Sequence, residues 1–208
     1  MENKQTEVVL LFSGGFDSTV LLNTLLQAEY KVHALFFDYG QRAASIEYSR
    51  VRYWYNKFPE DLSIQKITIP TLSWCKSSTT NNEDNESSEY VAARNTIFLS
   101  YALSYAEANG IKDIYTGFIG PDNYYPDTSP TYVSMMNVLG NMTAGINVHA
   151  PFVFDGKDDV FDTAQDLGFD VLEILNHTVS CNKIEDLQSC GECLDCKARE
   201  VYYNRILP

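Results

Sequence analysis

No stretch of the 208 residues approaches the roughly 20 consecutive apolar side chains of a membrane-spanning helix, which excludes a helical bilayer span. The opening residues, Met1 to Glu7, are polar and lack the apolar core of a secretory signal, so a soluble cytoplasmic protein is expected. Basic side chains are scarce: 15 lysines and arginines stand against 28 aspartates and glutamates, a formal net charge of -13. That balance excludes a broad basic surface gripping nucleic-acid backbone, and no nucleic-acid partner is expected. Histidine is scarcer still, with three residues (His33, His149, His177) at no metal-ligand spacing. Neither G-x-x-x-x-G-K-[ST] nor G-x-G-x-x-G occurs, which excludes two common glycine-rich nucleotide loops. No internal repeat and no linker interrupts the chain.

What is present is a globular composition, 45% hydrophobic and 21% charged, unlike that of a disordered chain. Residues 7–12 form a short apolar run that stops at Ser13-Gly14-Gly15. Leu21, Leu22, Leu25 and Leu26 then recur at helical spacing, which predicts strand, tight turn, helix. The pattern continues with a strand over 32–37, a helix over 43–58 and a strand over 64–69. A helix over 95–109 closed by Gly110, a strand over 113–118 and a helix over 132–139 follow. A fifth strand over 148–153 and a helix over 158–167 complete the series. Residues 77–88 contain no apolar side chain and read as a surface loop, either a solvated insertion or a lid. This alternation predicts an α/β fold, a doubly wound and mostly parallel sheet with helices on both faces. Ligands of such sheets sit at the carboxyl ends of the strands, where the first turn lies. The expected division is an α/β domain over residues 1–175 with a C-terminal segment, 176–208, packed on it.

That first turn, Ser13-Gly14-Gly15-Phe16-Asp17-Ser18-Thr19, has the chemistry of an anion cradle. Two glycines let several backbone N–H groups converge, the helix start adds partial positive charge, and Ser13, Ser18 and Thr19 offer hydroxyls. Asp17 would repel phosphate oxygens directly. It fits the cradle if a divalent cation such as Mg2+ stands between them, or if it makes a structural hydrogen bond.

Five cysteines are present, and four of them, Cys181, Cys190, Cys193 and Cys196, follow C-x8-C-x2-C-x2-C. In a reducing compartment that density favours a metal over disulfides. Four thiolates with no open position make a structural zinc site, with an iron–sulfur cluster the other four-thiolate option. Cys75 stands apart and reads as a small core residue.

The string S-G-G-F-D-S-T after a first strand resembles the pyrophosphate (PP) loop of the ATP pyrophosphatases, which cleave ATP between its α and β phosphates and adenylate a carbonyl or carboxylate oxygen. The resemblance assigns ATP to Phe12, Ser13, Gly14, Gly15, Phe16, Asp17, Ser18, Thr19 and Val20. Asp38-Tyr39-Gly40-Gln41-Arg42, Ala93 to Leu99, Tyr125-Pro126-Asp127 and the four-cysteine tail follow in an order similar to that of the 7-cyano-7-deazaguanine synthase (QueC) family. The likeness runs from about residue 8 to residue 203. It implies adenylation of the carboxylate of 7-carboxy-7-deazaguanine, amidation by ammonia, then a second activation and dehydration to the nitrile. A homodimer is implied too. On that reading Arg94 grips the carboxylate, Asn95, Asp122, Tyr125 and Asp127 meet the deazaguanine, Tyr124 stacks beside it, and Lys157 faces the phosphates. Asp17, Arg94 and Lys157 are the expected catalytic residues.

The chain departs from the family pattern around the acceptor. Ala93 stands where glycine is usual, Ala43 where histidine is common, and Ile119, Thr128 and Ser129 where asparagine, cysteine and arginine are found. Two acceptors follow. One is ammonia, giving the nitrile. The other is a protein amine, as in the QueC-like proteins of antiviral (CBASS-type) operons. A nucleotide sensor that binds ATP and zinc without turnover is the non-enzyme alternative.

Overall fold

A computed structural model describes residues 5–70, 77, 79–80, 90–120, 125–181, 183–184 and 188–207. Five strands, β1 (Glu7–Leu11), β2 (Lys31–Asp38), β3 (Leu62–Thr68), β4 (Asp113–Thr116) and β5 (Asn147–His149), form one sheet in the order β3-β2-β1-β4-β5. Every pairing is parallel. Order reverses at β1, whose neighbours are β2 and β4, so the carboxyl ends of β1 and β4 open onto a crevice.

Alternation along the central strands divides the core. Val8, Leu10, Val32, Ala34 and Phe36 point to one face, against α1 (Phe16–Gln27), α2 (Ala44–Lys57), α5 (Lys157–Asp166), α6 (Val171–Asn176) and α7 (Leu194–Ile206). Val9, Leu11, Leu35 and Phe37 point to the other, against α3 (Arg94–Asn109) and α4 (Pro130–Ala144). Both faces of the central strands are dry, which is why β1 and β2 read as apolar runs rather than alternating ones. This is the doubly wound sheet that the sequence predicts.

Three differences from the sequence reading have a physical cause in the packing. β5 ends at His149, because Pro151 has no N–H for a ladder, and Val153 instead donates to the Ala150 carbonyl at 3.1 Å in a turn. Helix α4 runs through Gly140 to Ala144. A side chain at 140 would meet the Ile146 carbonyl at 2.7 Å, so this glycine serves close packing, and the helix stops at Gly145 instead. Beyond residue 167 the sequence reading places no helix, whereas α6 and α7 bring Ile174, Leu175 and Tyr202 into the first core.

The histidines sit in structural contacts. His33 lies between Glu7 at 2.8 Å and the Tyr105 hydroxyl at 3.1 Å, His149 meets Asp113 at 2.7 Å, and His177 stacks on Tyr53. Among the described residues no helix is long and apolar enough to cross a membrane.

Candidate active site

The turn after β1 takes a shape that glycine adopts freely and that its neighbours close to a side chain. Gly14 has φ 76, and a side chain there would meet the Glu47 carbonyl at 2.7 Å. The turn fits against the first turn of α2 only without a Cβ. Across it, Gly117 at the end of β4 leaves room for the backbone of Ser18. Ser13 Oγ accepts from the Gly15 N–H at 3.2 Å and lies 3.1 Å from Ser18 Oγ, while Ser18 Oγ donates to the Gly15 carbonyl at 3.1 Å. Hydroxyls and amide groups are thereby gathered at the N-terminus of α1, an anion-binding arrangement.

The turn opens into a cavity of about 790 Å³. Phe12, Ser13, Gly15, Phe16, Asp17 and Ser18 line it, as do Arg94, Asn95, Tyr125 and Lys157. Gly14, Thr19 and Val20 lie behind the wall. Thr19 is wholly buried, and its Oγ1 has no hydrogen-bond partner among the described residues. Asp122, Tyr124, Cys75 and most of 77–88 fall outside the described residues. In a chain of net charge -13, four basic residues (Arg94, Lys157, Lys183, Arg199) line this one cavity against four acidic ones (Asp17, Glu47, Glu192, Asp195). Concentrating cations there makes the cavity far better suited to a polyanion than the surface around it.

Two ionisable groups of side chains face the space. In the first, Lys157 pairs with Asp195 near Asp17. Burial raises the Asp17 carboxyl to about 6, with Lys157 opposing the shift and Asp195 adding to it. In the second, Arg94 donates to the Tyr39 hydroxyl at 2.7 Å and lies over the Tyr39 and Phe98 rings at 5.4 and 5.8 Å. Burial pushes the Tyr39 phenol up against the pull of Arg94, so its oxygen remains a neutral acceptor. Glu47 belongs to the same group: burial raises its carboxyl, while Gln41 and Arg94 oppose the shift.

Asn95, which lines the cavity, is bound to Asp127. Both are buried, and the Asn95 backbone N–H donates to Asp127 Oδ2 at 3.1 Å while its amide donates to the Asp127 carbonyl at 3.2 Å. Asp127 does not reach the cavity lining. It satisfies an orphan N–H in the first turn of α3, a capping task that Ala93 at the N-cap cannot perform. Asp127 thereby braces the Arg94 helix through Oδ2, while its other oxygen, Oδ1, is buried without a partner among the described residues. Tyr125 lines the cavity and stacks on Tyr90 with centroids 5.4 Å apart.

Ala93 explains why glycine suits its position. It is exposed with φ 52, the left-handed region, where an L side chain costs about 1–2 kcal/mol. Ala93→Gly is expected to stabilise the protein by about 1 kcal/mol after the unfolded-state entropy of glycine, or roughly 2–4 °C in melting temperature. A lower melting temperature in a thermal scan would contradict this. The other departures are absorbed locally. Ser129 caps α4 by accepting from the Tyr132 N–H at 3.2 Å, Thr128 donates to the Tyr125 carbonyl at 3.0 Å, and Ile119 and Ala43 are buried.

The cavity's remaining wall comes from the cysteine segment, through Glu192, Cys193, Leu194, Asp195, Ala198, Arg199 and Tyr202. The four Sγ atoms lie within 4.8 Å of one another, with Cys181–Cys190 at 3.6 Å and Cys190–Cys196 at 3.9 Å. The edge of a tetrahedron with metal–sulfur bonds of about 2.3 Å is roughly 3.8 Å, so the spacing fits one ion. Burial raises the Cys181 and Cys193 thiols, whereas backbone N–H groups of Glu192 and Cys193 lower Cys190 to about 7. A cation is what would turn all four into thiolates.

With this geometry in view, the comparisons are specific. A family model described as queuosine biosynthesis protein QueC matches residues 7–207. The chain belongs to the QueC family. The 7-cyano-7-deazaguanine synthase of Rickettsia felis is 37% identical over 213 residues, covering 93% of this chain and 92% of that protein. Its counterpart in Rickettsia bellii is 34% identical over 212 residues, covering 93% and 91%. Among solved structures, a 4-thiouridine synthetase–RNA complex with bound ATP has a TM-score of 0.54 at 17% identity, covering 97% of this chain and 50% of that one. The U34-tRNA thiolase NcsA of Methanococcus maripaludis, described with its [4Fe-4S] cluster, gives 0.52 at 13%, covering 97% and 65%. At those identities the likeness carries the PP-loop fold and not the chemistry. The sequence reading names none of Tyr39, Gln41, Glu47, Lys183, Asp195 and Arg199 as a site residue, although the first two lie in a motif it quotes. Position was the available signal for the first two, since they follow β2 at the carboxyl edge of the sheet.

Proposed function

We propose that this chain uses ATP to activate the carboxylate of 7-carboxy-7-deazaguanine and passes the acyl group to ammonia, ending in 7-cyano-7-deazaguanine. The observation that carries the reading is one cavity joining an anion cradle at α1 to a guanidinium fork at Arg94. Ser13, Gly15 and Ser18 would hold the ATP phosphates, with Lys157 neutralising charge beside them. Arg94, held over the Tyr39 and Phe98 rings, would orient the acid so that a carboxylate oxygen attacks the α-phosphorus and pyrophosphate leaves. Tyr125 offers an aromatic face to the deazaguanine. Asp17 would help hold Mg2+, which would supply positive charge to offset the phosphates. Cys181, Cys190, Cys193 and Cys196 would hold zinc, whose role with four thiolates is to fix the segment. The sulfur spacing supports a single ion, because each thiolate of a four-iron cluster binds a different iron and stands farther from its neighbours.

Departures at Ala93, Ala43, Ile119, Thr128 and Ser129 favour keeping a second acceptor, a protein amine, in the test. Mass spectrometry after incubation with ATP, Mg2+ and the acid, with and without ammonium, is expected to give the nitrile only with ammonium. An amide appearing on a protein, with no nitrile, would replace ammonia by the protein amine. ATP bound with no pyrophosphate released would leave a nucleotide sensor.

A further inference from the structure

Glu47 is a cavity acid to which the reading above gives no task. It stands in the first turn of α2, with its backbone carbonyl against Gly14 of the phosphate turn. Its side chain interacts electrostatically with Arg94 from α3 and Asp38 at the end of β2. Glu47 and Arg94 thus line the same cavity as the phosphate turn, the space the activated acid would occupy. Gln41 fixes its orientation. The Gln41 carbonyl oxygen accepts from the Tyr39 N–H at 2.9 Å, so the Gln41 amide is turned to donate to Glu47 Oε2 at 2.8 Å and to the Phe37 carbonyl at 3.0 Å. Among the described residues that is the only hydrogen bond to the carboxylate, and Glu47 lines the cavity. One oxygen is anchored, and the group as a whole remains reachable by a ligand.

Resting on the adenylation reading, we infer that Glu47 is the general base for the acceptor amine, the group that takes its proton as it attacks the acyl adenylate. The nitrogen lone pair forms the C–N bond, the acyl carbon–oxygen bond to AMP breaks, and AMP leaves with that electron pair. The proton shed by nitrogen passes to the Glu47 carboxylate and then to solvent. No other co-reactant is needed. A carboxylate that burial makes more basic is better matched to this task than an exposed one. Asp17, the other buried acid in the cavity, sits with Lys157 and Asp195 rather than with Arg94.

The test separates the two half-reactions in the full-length protein. Glu47→Gln keeps the shape and an oxygen for Gln41. Its pyrophosphate release with ATP and the acid is expected to stay within about threefold of wild type, while amide plus nitrile formed from ammonium falls about 10²- to 10⁴-fold. Hydroxylamine, a weakly basic nucleophile that sheds its proton readily, is expected to restore acyl transfer to within about tenfold. Unchanged product formation with ammonium would overturn the proposal. So would equal loss of both half-reactions, or a raised KM for the acid alone, which would make Glu47 a binding group. If the Gln variant melts early, Glu47→Asp serves, expected to show the same selective loss at smaller size. Wild type that releases no pyrophosphate with this acid overturns the adenylation reading itself, and this inference with it.

Discussion

Asp17→Asn is expected to raise the melting temperature of the ligand-free protein at pH 8 by roughly 6–12 °C, while adenylation drops at least about a hundredfold. The stability half follows from the raised carboxyl. A folded-state value of about 6 against 3.8 for the free group means that the fold holds the proton more tightly than the unfolded chain does. The sign is therefore opposite to that of a salt-bridged aspartate. Below about pH 4 the group is protonated in both states and costs nothing. Between about 4 and 6 the unfolded chain ionises first and stability is lost, and above 6 the loss is constant at about 3 kcal/mol. Burial drives it, with Lys157 offsetting part and Asp195 adding to it. An uncharged asparagine of the same size removes the penalty and also the charge that a divalent cation would need. Thermal scans at pH 4 and pH 8 check this. The advantage of the variant should shrink towards zero at pH 4, and a variant no more stable than wild type at pH 8 would sink the burial argument. Saturating ATP and Mg2+ should narrow the gap at pH 8, because only the wild type gains binding energy from the cation. Such a residue, costly to the fold and useful to the ligand, is what a site built for function contains.

How much of this was legible in the sequence depended on whether the physics was local. The phosphate turn could be read because glycines, hydroxyls and a following helix all fall within seven residues. The cysteines could be read because metal ligands converge from short spacings, and their Sγ atoms do. Asp127 was legible as a residue of interest and not in its task, since the N–H it caps belongs to Asn95, 32 positions earlier. Glu47 carries no motif of its own, because only the fold brings the phosphate turn and Arg94 near it. Asp195 was masked by the cysteines flanking it, although it pairs with Lys157 across 38 positions. Ala93 carried a signal that only a backbone angle could interpret.

Asp195 and its neighbours lead to the second large effect, the response to losing the metal. Chelation under reducing conditions is expected to lower the melting temperature by about 10 °C or more and to weaken ATP binding about tenfold, although no cysteine is assigned to ATP. The cysteine segment is joined to the cradle in three places. Val179 donates its N–H to the Gly14 carbonyl at 3.1 Å. Tyr202 of α7 stacks between Phe161, at 4.5 Å, and Phe16, the first residue of α1, at 5.7 Å. Asp195, between Cys193 and Cys196, holds Lys157. Cys181 and Cys196 are themselves buried against Ala43, Val179 and Ile184, so the sulfurs are part of a small core as well as a metal site. Without the ion, burial favours the neutral thiols of Cys181 and Cys193, and the four-cysteine turn at the N-terminus of α7 loses its cross-link. Thiolate-rich zinc peptides gain about 10–16 kcal/mol from their metal, and even a third of that exceeds the 1 kcal/mol that moves a domain of this size by 2–4 °C. Elemental analysis, thermal scans and ATP titration calorimetry on the same chelated sample check the chain of effects, with remetallation as the control. A metal-free protein that melts and binds ATP like the loaded one would show that the cysteine segment merely sits beside the cavity. Weaker ATP binding with unchanged melting would instead confine the metal's influence to the α7 wall.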